Sequence, residues 1–206
     1  VSEYYGAMGI DGFTVDEKYN ACWVFMKNRI KMIKPIRWNE TFNAEAFISK
    51  KAMASMHVDI AIRNSDGEIC AYAKTETVPL DLTNGRPRKL DTLEIDDSFE
   101  VYESLTDLSF TKFPKIELSE VDSVTIKYTN IDYLQHTNNK EYAKFILNTY
   151  EVKDILDKPI REMEMQYLGQ AHEHDVLSIR KDVIDGKELF AIVKDGTTMI
   201  KCEIVR

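Results

Sequence analysis

The sequence predicts an α+β chain built from two tandem copies of one unit, an antiparallel sheet wrapped around a central helix. Three observations carry that expectation. Apolar and polar residues alternate at period two in many stretches bounded by turn signals. The order short helix, strand, polar break, strand, hairpin, strand occurs twice. One stretch ahead of the second run, Asn139 to Glu151, has helical spacing instead, with Tyr142, Phe145, Ile146 and Tyr150 on one stripe. A meander that follows such a helix buries its stripe most economically by curling around it.

In chain order, Ser2 to Met8 is short and suits the end of a helix. Thr14 and Glu17 have the spacing of a capping box, which predicts a short helix up to about Asn20. Cys22 to Lys34 reads as a strand whose alternation slips between Phe25 and Ile30, the mark of a bulge. Phe42 to Ser49 alternates with Phe42, Ala44, Ala46 and Ile48 on one face, and Met53 to Arg63 with Met56, Val58, Ile60 and Ile62 inward. Asn64-Ser-Asp-Gly67 is a hairpin turn. Glu68 to Leu80 returns, and Pro79 marks its end. From Asp81 to Ser119 the alternation weakens, with Pro87, Pro114 and the acidic Asp91, Glu94, Asp96 and Asp97, as in a connector that crosses a surface.

The pattern restarts with a strand at Val121 to Tyr128, a polar loop and the helix from Asn139. Val152 to Asp157 is a second helical turn, stopped by Pro159. Strands are expected at Ile160–Leu168, Asp175–Asp182 (with Val176, Leu177 and Ile179 inward), Glu188–Val193 and Thr197–Val205, with turns at Asp185-Gly186 and Asp195-Gly196. The divisions are thus 1–90 for the first unit, 91–119 for the connector and 120–206 for the second. The first unit begins as if inside its central helix, its N-terminal strand missing.

Composition narrows the function. Of 206 residues, 44% are hydrophobic, enough apolar surface to offset chain entropy and exclude wholesale disorder. The net charge of −8 argues against nucleic acid as a partner. The 3 cysteines, Cys22, Cys70 and Cys202, lack C-x-x-C spacing, which predicts reduced, buried thiols in a cytoplasmic protein rather than disulfides or zinc. No apolar run reaches the roughly 18–20 residues of a membrane span. His172 and His174 sit at alternate positions, but no third ligand accompanies them, so neither a metal nor a cofactor is expected.

The second unit carries Asn130-Ile-Asp-Tyr-Leu-Gln-His-Thr-Asn-Asn-Lys-Glu-Tyr142, a D-x-x-x-H-x-N-N-x-x-Y motif between strand and helix. It resembles the active-site signature of bacterial acyl-ACP thioesterases. Tyr4-Tyr-Gly-Ala-Met-Gly-Ile10, Trp23, Trp38-Asn-Glu-Thr41, Asp66-Gly67 and Arg86-Pro-Arg88 follow in the order of that family, so the resemblance covers nearly the whole chain. It implies two tandem hotdog folds and hydrolysis of acyl-ACP to free fatty acid and carrier protein in fatty acid biosynthesis. The first hotdog would hold the acyl chain and the second would carry the chemistry. Asp132 and His136 match the family's Asp-x-Asn-x-His pattern, Leu134 stands where the family has Asn, and Gln170 stands where a later strand supplies a carboxylate.

The chemistry needed is a polarised carbonyl, a water nucleophile and a proton acceptor. The helix that Asn138 caps offers backbone N–H groups to an oxyanion. His136 can act as base on the water or orient it. Asp132 can fix the imidazole or activate the water, and Gln170 can orient the water but not take its proton. Asp132, His136, Gln170 and Asn138 are therefore the candidate catalytic set. Acyl carrier protein is acidic, which points to Lys27, Arg29, Lys31 and Lys34, or Arg86, Arg88 and Lys89, as its dock. The chain is expected as a monomer or homodimer. The alternatives are an acyl-CoA thioesterase, a double-hotdog dehydratase and an acyl-chain binder without catalysis.

Overall fold

A computed structural model describes residues 1–95, 100–132 and 134–206. The chain forms two compact units, Val1–Ser109 and Phe110–Arg206, taken here in turn.

The first unit opens with helices α1 (Ser2–Ala7) and α2 (Gly12–Tyr19), followed by strands β1 (Ala21–Met32), β2 (Phe42–Lys51), β3 (Met56–Asn64) and β4 (Ile69–Asp81). The strands are antiparallel in the order β2-β3-β4-β1. Tyr5, Met8, Ile10 and Val15 from the helical segment pack with Ile48, Met56 and Val58 of the sheet. Two hydrogen bonds tie the polar atoms of this core: Tyr5 to Thr77 at 2.5 Å and the Trp23 indole N–H to the Ile10 carbonyl at 2.7 Å.

The structure departs from the sequence expectations at three places in this unit. The cap of α2 is Asp11 rather than Thr14: its carboxylate accepts the N–H groups of Phe13 and Thr14 at 2.9 and 3.1 Å and also the Thr14 hydroxyl. A charged acceptor three residues upstream outcompetes the hydroxyl, and the helix starts earlier. Pro79 does not end β4. The strand runs on to Asp81 because residues 86–88 pair with it, and the Pro79 carbonyl takes the Arg88 N–H at 2.7 Å. Finally, β3 is not buried on one face only. Asp59 and Ala61 are buried while Ile60 and Ile62 are half-buried. The Asp59 carboxylate accepts the hydroxyls of Ser49 (2.6 Å) and Ser104 and sits 3.6 Å from Lys74, which donates to Ser104 at 3.1 Å. Ser104 thus covers the second face. The bulge expected in β1 lies between Phe25 and Lys27. Met53 precedes β3 and is exposed. Asp96 and Asp97, grouped with the connector by the sequence, lie outside the described residues.

The second unit comprises β5 (Ser119–Thr125), α3 (Asn139–Leu147), α4 (Val152–Asp157), β6 (Glu162–Tyr167), β7 (Val176–Ile184), β8 (Lys187–Lys194) and β9 (Thr197–Val205). Its sheet order is β6-β9-β8-β7-β5, antiparallel throughout. Both turns of the meander use two left-handed residues, Asp185-Gly186 (φ 51° and 77°) and Asp195-Gly196 (φ 48° and 76°), which suits tight hairpins. Tyr142, Phe145 and Ile146 of α3 are buried against Leu177, Ile179, Phe190, Ile192 and Ile200 of the sheet. Each such side chain contributes roughly 1.5–3 kcal/mol by leaving water. The helix is shorter than expected: Asn148 caps it at Leu147, and Glu151 with Asp154 opens α4 as a new capping box. Val176 points outward, opposite to expectation, because Leu177 and Ile179 take the inward phase.

Buried carboxylates in this sheet are each given partners. Glu188 accepts from Tyr150 at 2.6 Å and meets Lys181 and Arg206 at 2.6 and 2.5 Å. Burial works to raise its carboxyl, but these partners outweigh it and hold the group below its ordinary range. Glu164 accepts the Thr111 N–H on both oxygens at 2.9 Å. Among the described residues, no helix is long and apolar enough to cross a membrane.

Candidate active site

The candidate residues lie on two segments of the second unit, the loop 131–138 ahead of α3 and the irregular stretch 168–175 between β6 and β7. The loop is closed by a bridge between Ile131 and Thr137. Inside it the Asp132 carboxylate accepts the N–H groups of Leu134 at 2.9 Å and His136 at 3.4 Å, while the Asp132 N–H donates to the His136 carbonyl at 2.9 Å. Gln135 takes a left-handed φ of 63° to complete the turn. Asp132 therefore shapes the backbone that presents His136; its hydrogen bonds go to N–H groups, not to the imidazole.

Asn138 caps α3: its side chain accepts the Lys140 N–H at 3.1 Å and its carbonyl the Glu141 N–H at 2.8 Å. Behind it, Asn130 donates to Glu141 at 3.1 Å, and Glu141 is paired with Lys144 at 2.7 Å. Those contacts, led by the Lys144 bond, hold the Glu141 carboxyl below its ordinary range.

The two segments are locked together. The Ala171 carbonyl accepts both the N–H and the hydroxyl of Thr137 at 2.8 Å, and the Ala171 N–H donates to the Tyr142 hydroxyl at 3.0 Å. Thr137, Tyr142 and Ala171 are all buried. Burial, the largest influence, raises the Tyr142 phenol, so it stays a neutral hydroxyl.

Gln170 adjoins this lock but does not stand on a strand. β6 ends at Tyr167, and Gln170 is exposed in the stretch that follows. Leu134 is likewise exposed.

The structure brings in residues that sequence reasoning did not assign. The rings of His136 and His172 meet edge to face, centroids 5.2 Å apart and planes at 68°. The His172 N–H donates to Asp175 at 2.8 Å, its Nδ1 lies 3.9 Å from the same carboxylate oxygen, and Lys194 binds that oxygen at 2.7 Å. Burial pushes the Asp175 carboxyl up, but Lys194 and the His172 N–H more than offset it and keep the group ionised. The alternate-position reading of His172 and His174 fails because this stretch is a turn, with His174 at a left-handed φ of 72°. The available signal was the His-x-x-Asp spacing of a carboxylate-capped turn. No group of three or more His, Cys, Asp or Glu residues poised for a metal occurs among the described residues.

In the first unit, a cleft of about 660 Å³ is lined by Tyr4, Ala46, Phe47, Tyr102 and Leu105 and rimmed by glutamates that include Glu45 and Glu103. Of the basic residues proposed as a dock, Lys27 is paired with Glu76 and Lys34 with Glu68, both at 2.7 Å. Arg29 donates to the Ser109 carbonyl at 2.8 Å, and Arg88 binds the Tyr19 carbonyl. Arg86 and Lys89 are exposed.

Comparison with known proteins agrees with this architecture. The model of the acyl-ACP thioesterase N-terminal domain matches residues 2–96, and that of the C-terminal domain matches residues 114–203. The dodecanoyl-[acyl-carrier-protein] hydrolase of Umbellularia californica, a chloroplastic protein, is 24% identical over 204 residues, covering 92% of this chain and 52% of that one. The chain thus spans about half the length of that relative. Among solved structures, an acyl-ACP thioesterase from Bacteroides thetaiotaomicron matches with a TM-score of 0.84 at 20% identity, covering 99% of this chain and 84% of the other. The 12:0-ACP thioesterase of Umbellularia californica matches with a TM-score of 0.85 at 18% identity, with the same coverage of 99% and 84%. The fold is the α+β hotdog architecture of those enzymes. With its helix-capping His-x-Asn-Asn loop and both domain models matched in order, the chain belongs to the acyl-ACP thioesterase family.

Proposed function

We propose that the chain hydrolyses the thioester of acyl-ACP, releasing a fatty acid and the carrier thiol in fatty acid biosynthesis. The observation that carries this reading is the lock between the His136 loop and the stretch 168–175, which sets an imidazole beside the N-terminus of α3. An oxyanion formed on the thioester carbonyl would meet the helix N-terminus. Asn138 occupies the N–H groups of Lys140 and Glu141, so the Asn139 N–H, which neither bond uses, is the donor on offer. His136 holds the attacking water, Asp132 keeps the imidazole in place through the backbone, and Gln170 can hydrogen-bond the water from the opposite segment.

Residues 1–90 serve as the acyl-holding hotdog, 120–206 as the reacting one, and 91–119 as the connector. Acyl carrier protein docks through Arg86 and Lys89, which are exposed, whereas the exposed Lys34 is already paired with Glu68. Free Cys22, Cys70 and Cys202 suit a reducing compartment such as the cytoplasm. The test is free-thiol release from acyl-ACP and acyl-CoA of matched chain length. Faster turnover of acyl-ACP supports the reading, and preference for acyl-CoA moves the activity to the other carrier.

A second reading, an acyl-chain binder without hydrolysis, is favoured by Leu134 and Gln170, neither of which can take a proton. Tight acyl binding with no thiol release, and turnover that appears in Leu134→Asn, would establish it.

A further inference from the structure

We infer that His172, backed by Asp175, is a further catalytic residue of this site and takes the proton that Gln170 cannot; this rests on the hydrolase reading above. Four observations converge on it. The His172 ring meets that of His136 edge to face with centroids 5.2 Å apart, so two imidazoles, either able to serve as a general base, stand side by side at the site. The turn that carries His172 is fixed by reciprocal bonds, the His172 N–H to Asp175 at 2.8 Å and the Asp175 N–H to the His172 carbonyl at 3.1 Å. The same carboxylate oxygen lies 3.9 Å from Nδ1 and accepts from Lys194 at 2.7 Å, so the group that can support a charge on the ring is itself held in place. His172 also remains open to solvent, with its side chain 56% exposed, as a group that meets a substrate must.

The chemistry then balances. The water oxygen bonds to the thioester carbonyl carbon while its proton passes to the His172 imidazole. The tetrahedral oxyanion collapses, the C–S bond breaks, and the imidazolium proton goes to the leaving thiolate. The products are a carboxylic acid and a thiol. His136 orients the water and Asp175 supports the transient imidazolium.

The experiment compares wild type, His172→Ala, His172→Gln and the control His174→Asn in steady-state hydrolysis of acyl-ACP, with and without added imidazole. The proposal expects kcat to fall by about 100-fold in both His172 variants, the range of a lost general base, with KM little changed. It expects His174→Asn to match wild type, and free imidazole to restore turnover to His172→Ala but not to His136→Ala. Thermal melting, unchanged in the His172 variants, excludes misfolding as the cause. An active wild type with His172→Ala equally active overturns the proposal and leaves the hydrolase reading intact. So does a loss of kcat that imidazole never restores. An inert wild type overturns the hydrolase reading itself.

Discussion

Replacing Tyr142 by Phe removes one oxygen from the lock that sets the candidate site. In the native structure that oxygen accepts the buried Ala171 N–H at 3.0 Å, while the Ala171 carbonyl is held twice by Thr137. The phenylalanine ring fills the same space, so no cavity opens. What remains is a backbone N–H with no acceptor beside a residue of 0% exposure. Such a donor costs about 1–3 kcal/mol. For a chain of this length that corresponds to a fall in Tm of roughly 2–12 °C. The Thr137 hydroxyl donates to the Ala171 carbonyl in the same lock, so Thr137→Val, which removes that second bond, should deepen the loss. A cycle of the two single variants and the double variant, read by urea titration, should give a coupling above about 0.5 kcal/mol. Hydrolysis should fall as well, since the His136 loop is no longer fixed against residues 168–175. A Tyr142→Phe protein as stable and as active as wild type would refute the claim that this hydroxyl holds the two segments together.

Asn138→Ala should cost about 1 kcal/mol by uncapping α3, while Asn138→Asp, which keeps an acceptor, should keep the stability; urea midpoints decide it. Asp175 has a folded-state pKa below its ordinary value. It therefore stabilises the fold above the unfolded aspartate range, near 3.9, and that stability is lost as pH falls through the folded value. Unfolding titrations of wild type and Asp175→Asn should converge in acid and separate toward neutral pH. Charge reversal at Arg86 and Lys89 should raise KM for acyl-ACP more than for a short acyl thioester, and added salt should mimic it; equal effects on both substrates would remove the dock from this edge. Cys202 is fully buried and its thiol is pushed well up by that burial, so a thiol reagent should label it only on unfolding, as mass spectrometry can follow.

What was legible in the sequence is what depends on local periodicity and turn chemistry. Asp185-Gly186 and Asp195-Gly196 declare their hairpins because both central residues must be left-handed, and few other pairs accept that. The stripe of Tyr142, Phe145 and Ile146 declares α3 because the same three residues meet the sheet. Asn138 as the cap of α3 was legible, whereas Asp11 was not, since Thr14 offers a complete capping box of its own and only the folded backbone shows which acceptor reaches the N–H groups. The basic face of β1 illustrates a different limit. Lys27, Arg29 and Lys31 were expected to point outward, but they are half-buried while Ile30 between them is exposed, and Lys27 sits directly across from Glu76 in the register of β1 and β4; pairing between distant strands is not written in either one. His172 was hidden for the same reason. Its partner His136 lies on another loop, brought near by Thr137 and Ala171, and the nearer His174 suggested a strand where the chain makes a turn.

Whether this family member hydrolyses acyl-ACP at the His136 loop is decided by free-thiol release from a panel of acyl-ACPs by wild type, His136→Ala and Leu134→Asn. Hydrolysis at that loop gives turnover in the wild type with Leu134 in place and its loss in His136→Ala, both proteins melting alike. Turnover in His136→Ala equal to that of wild type, or none in wild type and activity only once Leu134 becomes Asn, would contradict it.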